Sequence, residues 1–445
     1  MPRAETLRGA LGAGSTRLFG AKHSIAFADI ANSSVLENDL AGRNVLLRTA
    51  DQFAAALALI ELDGVAKRLV IAPPDLDEAH LPAILERAEI DTIVSDMDMP
   101  GHKVEYIVAP RTRTKLAAGP VKTKWVLFTS GTTGIPKMVA HDFSGLTGAI
   151  KPDATPDIVW GTFYDIRRYG GLQIFLRAIL GNASLILSDA SEETGDFLAR
   201  LGGHGVTHLT GTPSHWRRAL MSPALAKIAP RYLRLSGEIA DQAILDSLKA
   251  AFPGATIGHA YASTEAGVGF EVTDGLEGFP ASLIGASDAV ERGAVEMKIE
   301  DGTLHIRSPR AASHYVGSAE NLEKRGFVDT GDLIDQRGDR CYFAGRKTGV
   351  INVGGLKIHP EEVEAVINRH PAVRASRVSG RKSPITGAIV VADVLRADAA
   401  IDDVALKKAI LAACRENLAA VKVPANLRFV DALALTAGGK LARHG

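Results

Sequence analysis

The segment WVLFTSGTTGIPK, residues 125–137, joins an apolar stretch typical of a buried strand to a loop of glycines and hydroxyl residues that ends on Lys137. Glycines let backbone N–H groups approach a polyphosphate, hydroxyls donate hydrogen bonds to its oxygens, and a lysine supplies positive charge. A Walker A loop would place Ser or Thr directly after its lysine, and neither follows Lys137. The segment therefore predicts a nucleotide phosphate loop of another kind, in preference to a surface turn.

Outward from this loop, short apolar runs alternate with helical stretches, as in α/β proteins. We predict strands at 44–48, 68–72 and 184–187 and a helix at 52–62. From about residue 293 the pattern changes, because two short stretches of alternating hydrophobicity flank Asp301-Gly302, a hairpin turn signal. The patterns predict a large N-terminal domain of α/β subdomains that ends in a small antiparallel β unit.

A second, smaller domain is predicted after residue 346. Pro360 is expected to open a helix whose first turn carries Glu361 and Glu362, which suits the positive end of a helix dipole. We place the large domain at 1–346, a hinge at 347–349 and a small mobile α+β C-terminal domain at 350–445.

Composition excludes several classes of function. Lys plus Arg and Asp plus Glu both number 51, so the formal net charge is zero, whereas nucleic-acid binding would favour a basic surplus. Two cysteines, Cys341 and Cys414, cannot build a disulfide framework. The sequence contains no apolar run of about 18 residues. We therefore expect a cytoplasmic protein with no nucleic-acid partner and no membrane span.

Together with the phosphate loop, five further segments resemble, in order, the motifs of the adenylate-forming superfamily. This superfamily contains acyl- and aryl-CoA synthetases, carrier-protein adenylation domains and firefly-type luciferases. The segments are SGE at 236–238, YASTE at 261–265, DTGDL at 329–333, the hinge and following loop at 345–364, and LTAGGKLAR at 435–443. The resemblance covers about residues 120–445.

The resemblance implies roles for individual residues. The implied catalytic residues are Lys440, Thr264 and Glu265, and Glu265 would also hold Mg²⁺, a hard ion that prefers oxygen ligands. Lys440 would bridge the substrate carboxylate and the α-phosphate. The implied ATP-binding residues are Thr129, Ser130, Gly131, Thr132, Thr133, Gly134, Lys137, Gly237, Glu238, Ile239, Tyr261, Asp332 and Arg346. Among these, Tyr261 would lie against adenine, and Asp332 and Arg346 would reach the ribose.

The resemblance also implies a reaction in two halves. A carboxylic acid reacts with ATP to give an acyl-adenylate and pyrophosphate, and a thiol then displaces AMP. The implied cofactors are ATP and Mg²⁺, with coenzyme A as co-substrate. The small domain would rotate between the halves, so that Lys440 leaves and a pantetheine tunnel forms from Gly354, Gly355, Leu356 and Lys357.

The acyl pocket is the least motif-like part of the sequence. Tyr169, Gly170 and Gly171 are weak candidates for its wall. Nearby, Arg167 or Arg168 could pair with a second carboxylate on the substrate, although we favour a solvated surface turn over 164–171.

Some residues depart from the superfamily pattern, and one pair of histidines has a spacing that resembles a metal site. The departures from the superfamily pattern are Ala262, Gly349, Ala434 and an N-terminal region of only about 120 residues before the loop, which we expect to be a shortened subdomain. His204 and His208 have a spacing that could suit zinc on a helix, but Gly205 favours a loop into a strand at 207–210.

These observations lead to one main hypothesis and two alternatives. The main hypothesis is an ATP-dependent carboxylate–CoA ligase that acts on a small carboxylic acid through an acyl-adenylate. The first alternative loads an acyl or amino acid onto the phosphopantetheine of a carrier protein in trans. The second is an ATP- or AMP-binding regulator without turnover.

Overall fold

A computed structural model of the chain describes the following residues: 5–12, 14–112, 121–129, 135–151, 157–285, 295–319, 322, 326–347, 349–383, 387–398, 402–436 and 438–442. Its α-helices are α1 Leu7–Ala10, α2 Phe27–Ala31, α3 Gln52–Leu62, α4 Leu81–Arg87, α5 Phe143–Thr147, α6 Tyr169–Leu180, α7 Thr194–Gly203, α8 Pro213–Met221, α9 Gln242–Ala251, α10 Pro360–Asn368 and α11 Asp403–Asn417.

The strands of the first half of the chain are β1 Arg17–Phe19, β2 Ser24–Ala26, β3 Ser33–Ser34, β4 Asn44–Leu47, β5 Arg68–Ile71, β6 Thr92–Ser95, β7 Val104–Tyr106, β8 Arg111–Thr112, β9 Lys124–Phe128, β10 Met138–His141, β11 Val159–Thr162, β12 Ser184–Leu187 and β13 His208–Gly211. Those of the second half are β14 Tyr232–Ser236, β15 Thr256–Ser263, β16 Gly267–Val272, β17 Phe279–Pro280, β18 Glu296–Glu300, β19 Thr303–Arg307, β20 His314–Tyr315, β21 Val328–Arg337, β22 Arg340–Arg346, β23 Ile351–Val353, β24 Leu356–Ile358, β25 Val373–Ser383, β26 Gly387–Arg396 and β27 Asn426–Val430.

Two largely parallel sheets form the body of the large domain. The first has the order β16-β15-β14-β13-β11-β12-β1-β2, with the edge strands β16 and β2 antiparallel. The second has the order β20-β10-β9-β5-β4-β6-β7, parallel from β9 to β7. An antiparallel sheet, β17-β22-β21-β19-β18, follows them in the chain.

The small domain has a hydrophobic core of its own. The fully or nearly buried side chains of this core all belong to residues 351–427, and they line α10, α11 and the sheet β25-β26-β27. The predicted large α/β domain with an antiparallel unit, followed by a small α+β domain, is therefore confirmed as architecture. The boundaries at 346 and 350 stay a prediction.

Local sequence signals locate several elements closely. The predicted helix at 52–62 is α3, which Asp51 caps by accepting a hydrogen bond from the amide of Phe53 at 2.9 Å. In the predicted hairpin, Asp301 and Gly302 have φ angles of 51° and 73°, the left-handed values that a tight two-residue turn requires. Pro360 opens α10, with Glu361 and Glu362 in its first turn.

The prediction of a solvated surface turn at 164–171 is wrong. Arg167 exposes only 2% of its surface, and its Nη2 and Nε donate to the two carboxylate oxygens of Asp165 at 2.6 and 2.9 Å. Its Nη1 also donates to the carbonyl oxygens of Thr49 and Ala50. This buried ion pair joins the start of α6 to the loop after β4, and hence one large sheet to the other. Arg167 and Ala50 are 117 residues apart in the chain, so no local sequence pattern indicates their contact.

The two histidines with zinc-like spacing are not together on a helix. His204 follows α7 and stacks on Phe19 with a centroid distance of 4.2 Å, whereas His208 begins β13. Among the residues that the structure describes, no group of three His, Cys, Asp or Glu side chains could hold a metal. In the same residues, no helix is long and apolar enough to cross a membrane.

We predict that Gly171→Ala destabilises the protein, because a Cβ at this position would lie 2.1 Å from the carbonyl oxygen of Asp165. Such an overlap with backbone typically costs about 1–3 kcal/mol. The matched control is Gly170→Ala in the same helix, where the nearest atom lies 3.8 Å away. Urea denaturation should show a clear loss for the first variant and no loss for the second. Equal stabilities would contradict the packing that we describe.

Candidate functional site

The carboxyl ends of four parallel strands meet at one edge of the first sheet. Beyond them lie Phe163 and Tyr164 after β11, Thr212 after β13, Gly237 and Glu238 after β14, and Thr264 and Glu265 after β15. Ligand sites of open parallel sheets characteristically occupy this edge. The sheet therefore brings the motifs at 236–238 and 261–265 to one place.

A tyrosine hydroxyl holds the turn at 236–238 in position. Tyr164 donates its hydroxyl hydrogen bond to the carbonyl oxygen of Ser236 at 2.9 Å, and the Ser236 amide donates back to the Tyr164 oxygen at 3.1 Å. Burial raises the pKa of Tyr164, so the hydroxyl stays protonated. Gly237 follows with a φ of 86°, a conformation that favours glycine.

Glu238 connects the large domain to the C-terminal segment that contains Lys440. Its Oε2 accepts the amide of Ser214 at 2.9 Å, and its Oε1 accepts the Ser214 hydroxyl at 3.0 Å and the amide of Leu441 at 2.7 Å. Hydrogen bonds to a carboxylate are stronger than neutral ones. The Glu238 side chain thus anchors the residue that directly follows Lys440.

Two further contacts fix the residue before Lys440. The hydroxyl of Thr212 donates to the carbonyl oxygen of Gly439 at 2.7 Å. Gly439 has a φ of 70°, and a Cβ there would lie 1.9 Å from Cε1 of His215, so a larger residue cannot fit. His215 is held in turn because its Nδ1 accepts the Thr212 amide at 3.1 Å.

Lys440 consequently extends across the turn at 236–238. A methyl group on Gly237 would lie 3.2 Å from Cε of Lys440 and 3.9 Å from its Nζ. Burial removes water from the ammonium group and so lowers the pKa of Lys440, whereas the carboxylate of Glu238 acts to raise it. The charges of Asp332, Arg346 and Arg168 also influence the pKa of Lys440. Five of the implied nucleotide-binding and catalytic residues are thereby brought together: Gly237, Glu238, Asp332, Arg346 and Lys440.

Asp332 lies in this cluster between two other implied ATP-binding residues. Its Oδ2 accepts the hydroxyl of Tyr261 at 2.6 Å, and its Oδ1 is 3.0 Å from Nε of Arg346. A carboxylate offers about four acceptor positions, so it can still accept ribose hydroxyls. The Tyr261 ring stacks on Phe343 and Phe270 at centroid distances of 5.2 and 5.8 Å.

The carboxylate of Glu265 is suited to be an oxygen ligand of a nucleotide-bound Mg²⁺. Burial raises its pKa, while Arg346 and Lys137 act in the opposite direction. Among the described residues, no other side chain hydrogen-bonds its carboxylate. Mg²⁺ usually takes one or two carboxylates and completes its shell with phosphate oxygens and water. One half-buried carboxylate beside a nucleotide site satisfies that requirement.

Other predicted residues lie at the edge of the described structure or away from the cluster. Ser130, Gly131, Thr132, Thr133 and Gly134 lie outside the described residues. Thr129 and Lys137 close the base of this loop, because the Thr129 amide donates to the Lys137 carbonyl oxygen at 2.9 Å. Ile239 follows Glu238, half-buried.

The hairpin with Gly354, Gly355, Leu356 and Lys357 joins β23 to β24. Leu356 exposes 56% of its surface, so the hairpin tip is solvent-accessible in this conformation.

The candidate acyl-pocket residues lie at the start of α6. Tyr169 exposes 6% of its surface and lies against His141, with a ring-centroid distance of 5.7 Å. Gly170 faces the ring of Tyr164, whereas Gly171 is pressed against the backbone of Asp165. The assignment of these three residues to an acyl pocket stays a prediction, and the backbone contact of Gly171 leaves Tyr169 and Gly170 as its better candidates.

Sequence reasoning missed several residues at the site. Tyr164, Thr212, Ser214 and His215 position the turn at 236–238 or the Lys440 segment. Thr212 followed by Pro213 is a recognisable helix-start signal, and Thr212 does cap α8. Nothing local in the sequence indicates that this cap also binds a segment 227 residues later.

Comparisons with known proteins identify the family of the chain. A family model described as "AMP-binding enzyme" matches residues 45–315, and one described as "AMP-binding enzyme C-terminal domain" matches residues 362–440. A 2-succinylbenzoate–CoA ligase from Bacillus pumilus is 25% identical over 344 residues, which is 73% of this chain and 68% of that protein.

Solved structures show the same fold. The anthranilate–CoA ligase AuaEII in complex with anthranoyl-AMP has a TM-score of 0.79 at 19% identity, covering 99% of this chain and 96% of that one. The o-succinylbenzoate coenzyme A synthetase of Bacillus subtilis, in complex with ATP and a magnesium ion, has a TM-score of 0.74 at 20% identity and covers 98% of each chain.

We predict that acidification destabilises the protein through His141. This side chain is fully buried, its Nε2 contacts the carbonyl oxygen of Thr264 at 2.8 Å, and its Nδ1 has no partner among the described residues. Desolvation lowers the pKa of His141 from 6.5 to about 4. As pH falls from 6.5 to 4, the unfolded chain binds a proton first, so folding loses about 3 kcal/mol from this group.

The measurement is the free energy of unfolding against pH for the wild type and for His141→Gln, whose amide can still donate to Thr264. The variant should lose about 3 kcal/mol less than the wild type over this range. His102→Gln, at an exposed position, is the control and should follow the wild type. Parallel curves for all three proteins would contradict the prediction.

Proposed function

Because the chain belongs to the AMP-binding enzyme family, we propose that it is an ATP-dependent carboxylate–CoA ligase that acts through an acyl-adenylate. The predicted family and the predicted enzyme class, an AMP-forming acid–thiol ligase, are confirmed by the relatives. The predicted use of ATP, Mg²⁺ and coenzyme A likewise agrees with the names and complexes of these relatives. The particular acid and the roles of individual residues belong to the proposal.

One observation carries the assignment of residues. Lys440 lies over Gly237, in one cluster with Asp332 and Arg346 and within a segment anchored by Glu238. Adenylation concentrates negative charge where the carboxylate oxygen meets the α-phosphate, and a fixed ammonium group stabilises that charge without reorganisation. Lys440 supplies this cation, and Thr264 lies at the same edge of the sheet. Mg²⁺, held by Glu265, would neutralise phosphate charge.

The remaining residues bind and orient the nucleotide. Asp332 accepts the ribose hydroxyls, with Tyr261 and Arg346 fixing the orientation of its carboxylate. The turn at 236–238 lies against adenine through its backbone, since the Glu238 side chain is engaged with Ser214 and Leu441.

The second half-reaction requires a different arrangement. A thiol must reach the acyl carbon, so Lys440 has to leave and the hairpin with Gly354, Gly355, Leu356 and Lys357 has to enter. This rotation about 347–349 is consistent with the separate core of the small domain and with the exposed tip of the hairpin. Coenzyme A is the proposed thiol. Transfer to a carrier protein and a regulator without turnover are outcomes that the following assay distinguishes.

The test is pyrophosphate release from Mg-ATP with a panel of carboxylic acids, with and without coenzyme A. Release that depends on an acid, with acyl-CoA formed only when coenzyme A is present, supports the ligase. Acyl-AMP without acyl-CoA would indicate a carrier-protein acceptor. ATP binding without release for any acid would overturn the proposal in favour of the regulator.

We predict that Lys440→Ala lowers the kcat of adenylation by roughly a hundredfold to a thousandfold, because removing a preorganised charge partner of the transition state typically has this effect. ATP affinity, measured by calorimetry, should change little. Lys408→Ala, an exposed lysine of α11, is the matched control and should keep wild-type rates. An active Lys440→Ala variant would contradict the proposed role.

We further predict that Glu238→Ala separates the two half-reactions. Loss of a hydrogen bond to a charged group costs roughly 1.5–3 kcal/mol, so adenylation should slow about tenfold to a hundredfold as Lys440 loses its position. Thioester formation from supplied acyl-AMP should be unchanged, because Lys440 is displaced in that step. Ser214→Ala keeps the contact to Leu441 and serves as the control. An equal loss in both half-reactions would show a merely structural role for Glu238.

A further inference from the structure

Several polar side chains are buried in the layer between α6 and the first sheet, although helix–sheet interfaces are usually apolar. Strand pairing places Thr162, Thr210 and Arg234 side by side on one face of this sheet. Helix α6 covers this face, since the Arg177 guanidinium lies 6.0 Å from the ring centroid of Trp160 on β11. Polar groups enclosed in such a layer need hydrogen-bond partners.

Among the residues that the structure describes, Arg234 has no hydrogen-bond acceptor. It exposes only 6% of its surface, and no described residue accepts a hydrogen bond from its guanidinium group. Glu271 comes nearest, with its Oε2 4.0 Å from Nη2, which is too long for a hydrogen bond. The other oxygen of Glu271 accepts the hydroxyl of Tyr232. Glu271 thus offsets the charge of Arg234 without accepting a hydrogen bond from it, so the guanidinium keeps donors that a ligand can engage.

A second guanidinium group adds to the positive charge. Arg310 is half-buried; its Nη1 donates to the carbonyl oxygen of Val268 at 3.1 Å, and its Nε is enclosed without a partner. Arg234 and Arg310 both lie close enough to Tyr169 to oppose the rise in the pKa of that hydroxyl caused by burial. The one carboxylate that pairs with Arg234 among the described residues, Glu271, remains partly exposed.

Arg234 lies near the proposed reaction centre at Lys440. Arg234 precedes Ser236 by two residues on β14, about 7 Å along the strand. Ser236 begins the turn over which Lys440 extends, and Tyr164 connects that turn to the start of α6. An acid whose reacting carboxylate lies at Lys440 and whose body follows this face therefore directs its far end to Arg234.

We propose that the acid activated by this chain carries a second carboxylate, and that Arg234 binds it. This inference rests on the ligase function proposed above. The planar guanidinium fork matches a carboxylate with two parallel hydrogen bonds, which supplies the partners that Arg234 lacks. Arg310 adds attraction from the side of Tyr169. Arg234 is then the residue that distinguishes diacids from monoacids.

The test uses acid-dependent ATP–pyrophosphate exchange with diacids and their monomethyl esters, which share a skeleton but lack the second charge. The panel is succinate, glutarate, adipate, phthalate, isophthalate and terephthalate. The wild type should prefer the best diacid over its ester by roughly tenfold to a hundredfold in kcat/KM, the range for a hydrogen-bonded charge pair. Arg234→Met should abolish the preference through a higher KM for the diacid, with the rate for the ester maintained.

Two controls separate binding from structure. Arg234→Lys keeps the charge and should retain part of the preference. Glu271→Gln removes the carboxylate nearest Arg234 and should leave the preference intact. In a thermal-shift experiment with AMP, the best diacid should raise the melting temperature of the wild type but not of Arg234→Met.

The outcomes also distinguish this inference from the proposed function. Exchange with monoacids or esters at rates equal to those with diacids would establish the ligase and overturn the diacid proposal. Retention of the diacid preference in Arg234→Met would likewise overturn it. No exchange with any acid, in a protein that binds ATP, would overturn the proposed function and the inference together.

Discussion

The carboxylate of Glu238 is the interaction on which the organisation of the site depends. It joins the turn after β14, the N-terminus of α8 and the backbone that follows Lys440. Without it, the lysine belongs to a near-terminal segment, where such side chains are usually solvated. With it, the ammonium group is fixed over Gly237 among the groups proposed to bind the nucleotide. The proposed catalytic cation can thus reside on a domain for which we propose a rotation between the half-reactions.

The hydrogen bonds that anchor the segment around Lys440 are strong enough to position the lysine, and few enough for the segment to be released. Among the described residues, two hydrogen bonds join the neighbours of Lys440 to the large domain: the Leu441 amide donates to Glu238, and the Thr212 hydroxyl donates to the Gly439 carbonyl oxygen. Ser214 retains its bonds to Glu238 when the segment leaves, so the carboxylate is not left without partners. Release therefore costs the large domain little, as alternation between two half-reactions requires.

Two buried arginines near α6, Arg167 and Arg234, differ in their hydrogen bonding. At its start, Arg167 satisfies its hydrogen bonds with Asp165 and the backbone after β4, which is a structural role. On the sheet below it, Arg234 donates a hydrogen bond to none of the described residues, and its nearest carboxylate, that of Glu271, is 4.0 Å away. Two buried arginines near the same helix thus differ in whether they are hydrogen-bonded. The difference depends on partners that only the tertiary structure brings near them.

The sequence predicted what depends on neighbours along the chain. The cap and period of α3, the hairpin at Asp301-Gly302 and the start of α10 at Pro360 are local signals, and the motif segments indicated the nucleotide site. It could not indicate that Arg167 is buried, since its partners at Thr49 and Ala50 lie more than 100 residues away. Nor could it assign the Glu238 side chain, whose partner at Leu441 follows 203 residues later.

The most direct measurement of this account is amide hydrogen exchange of the peptide that contains Leu441. We predict that a non-hydrolysable acyl-adenylate analogue protects this amide, since the Leu441 amide donates to Glu238 in the conformation proposed for adenylation. Addition of coenzyme A should remove the protection as the segment leaves. Exchange of the Leu441 amide that is insensitive to both ligands would contradict the account.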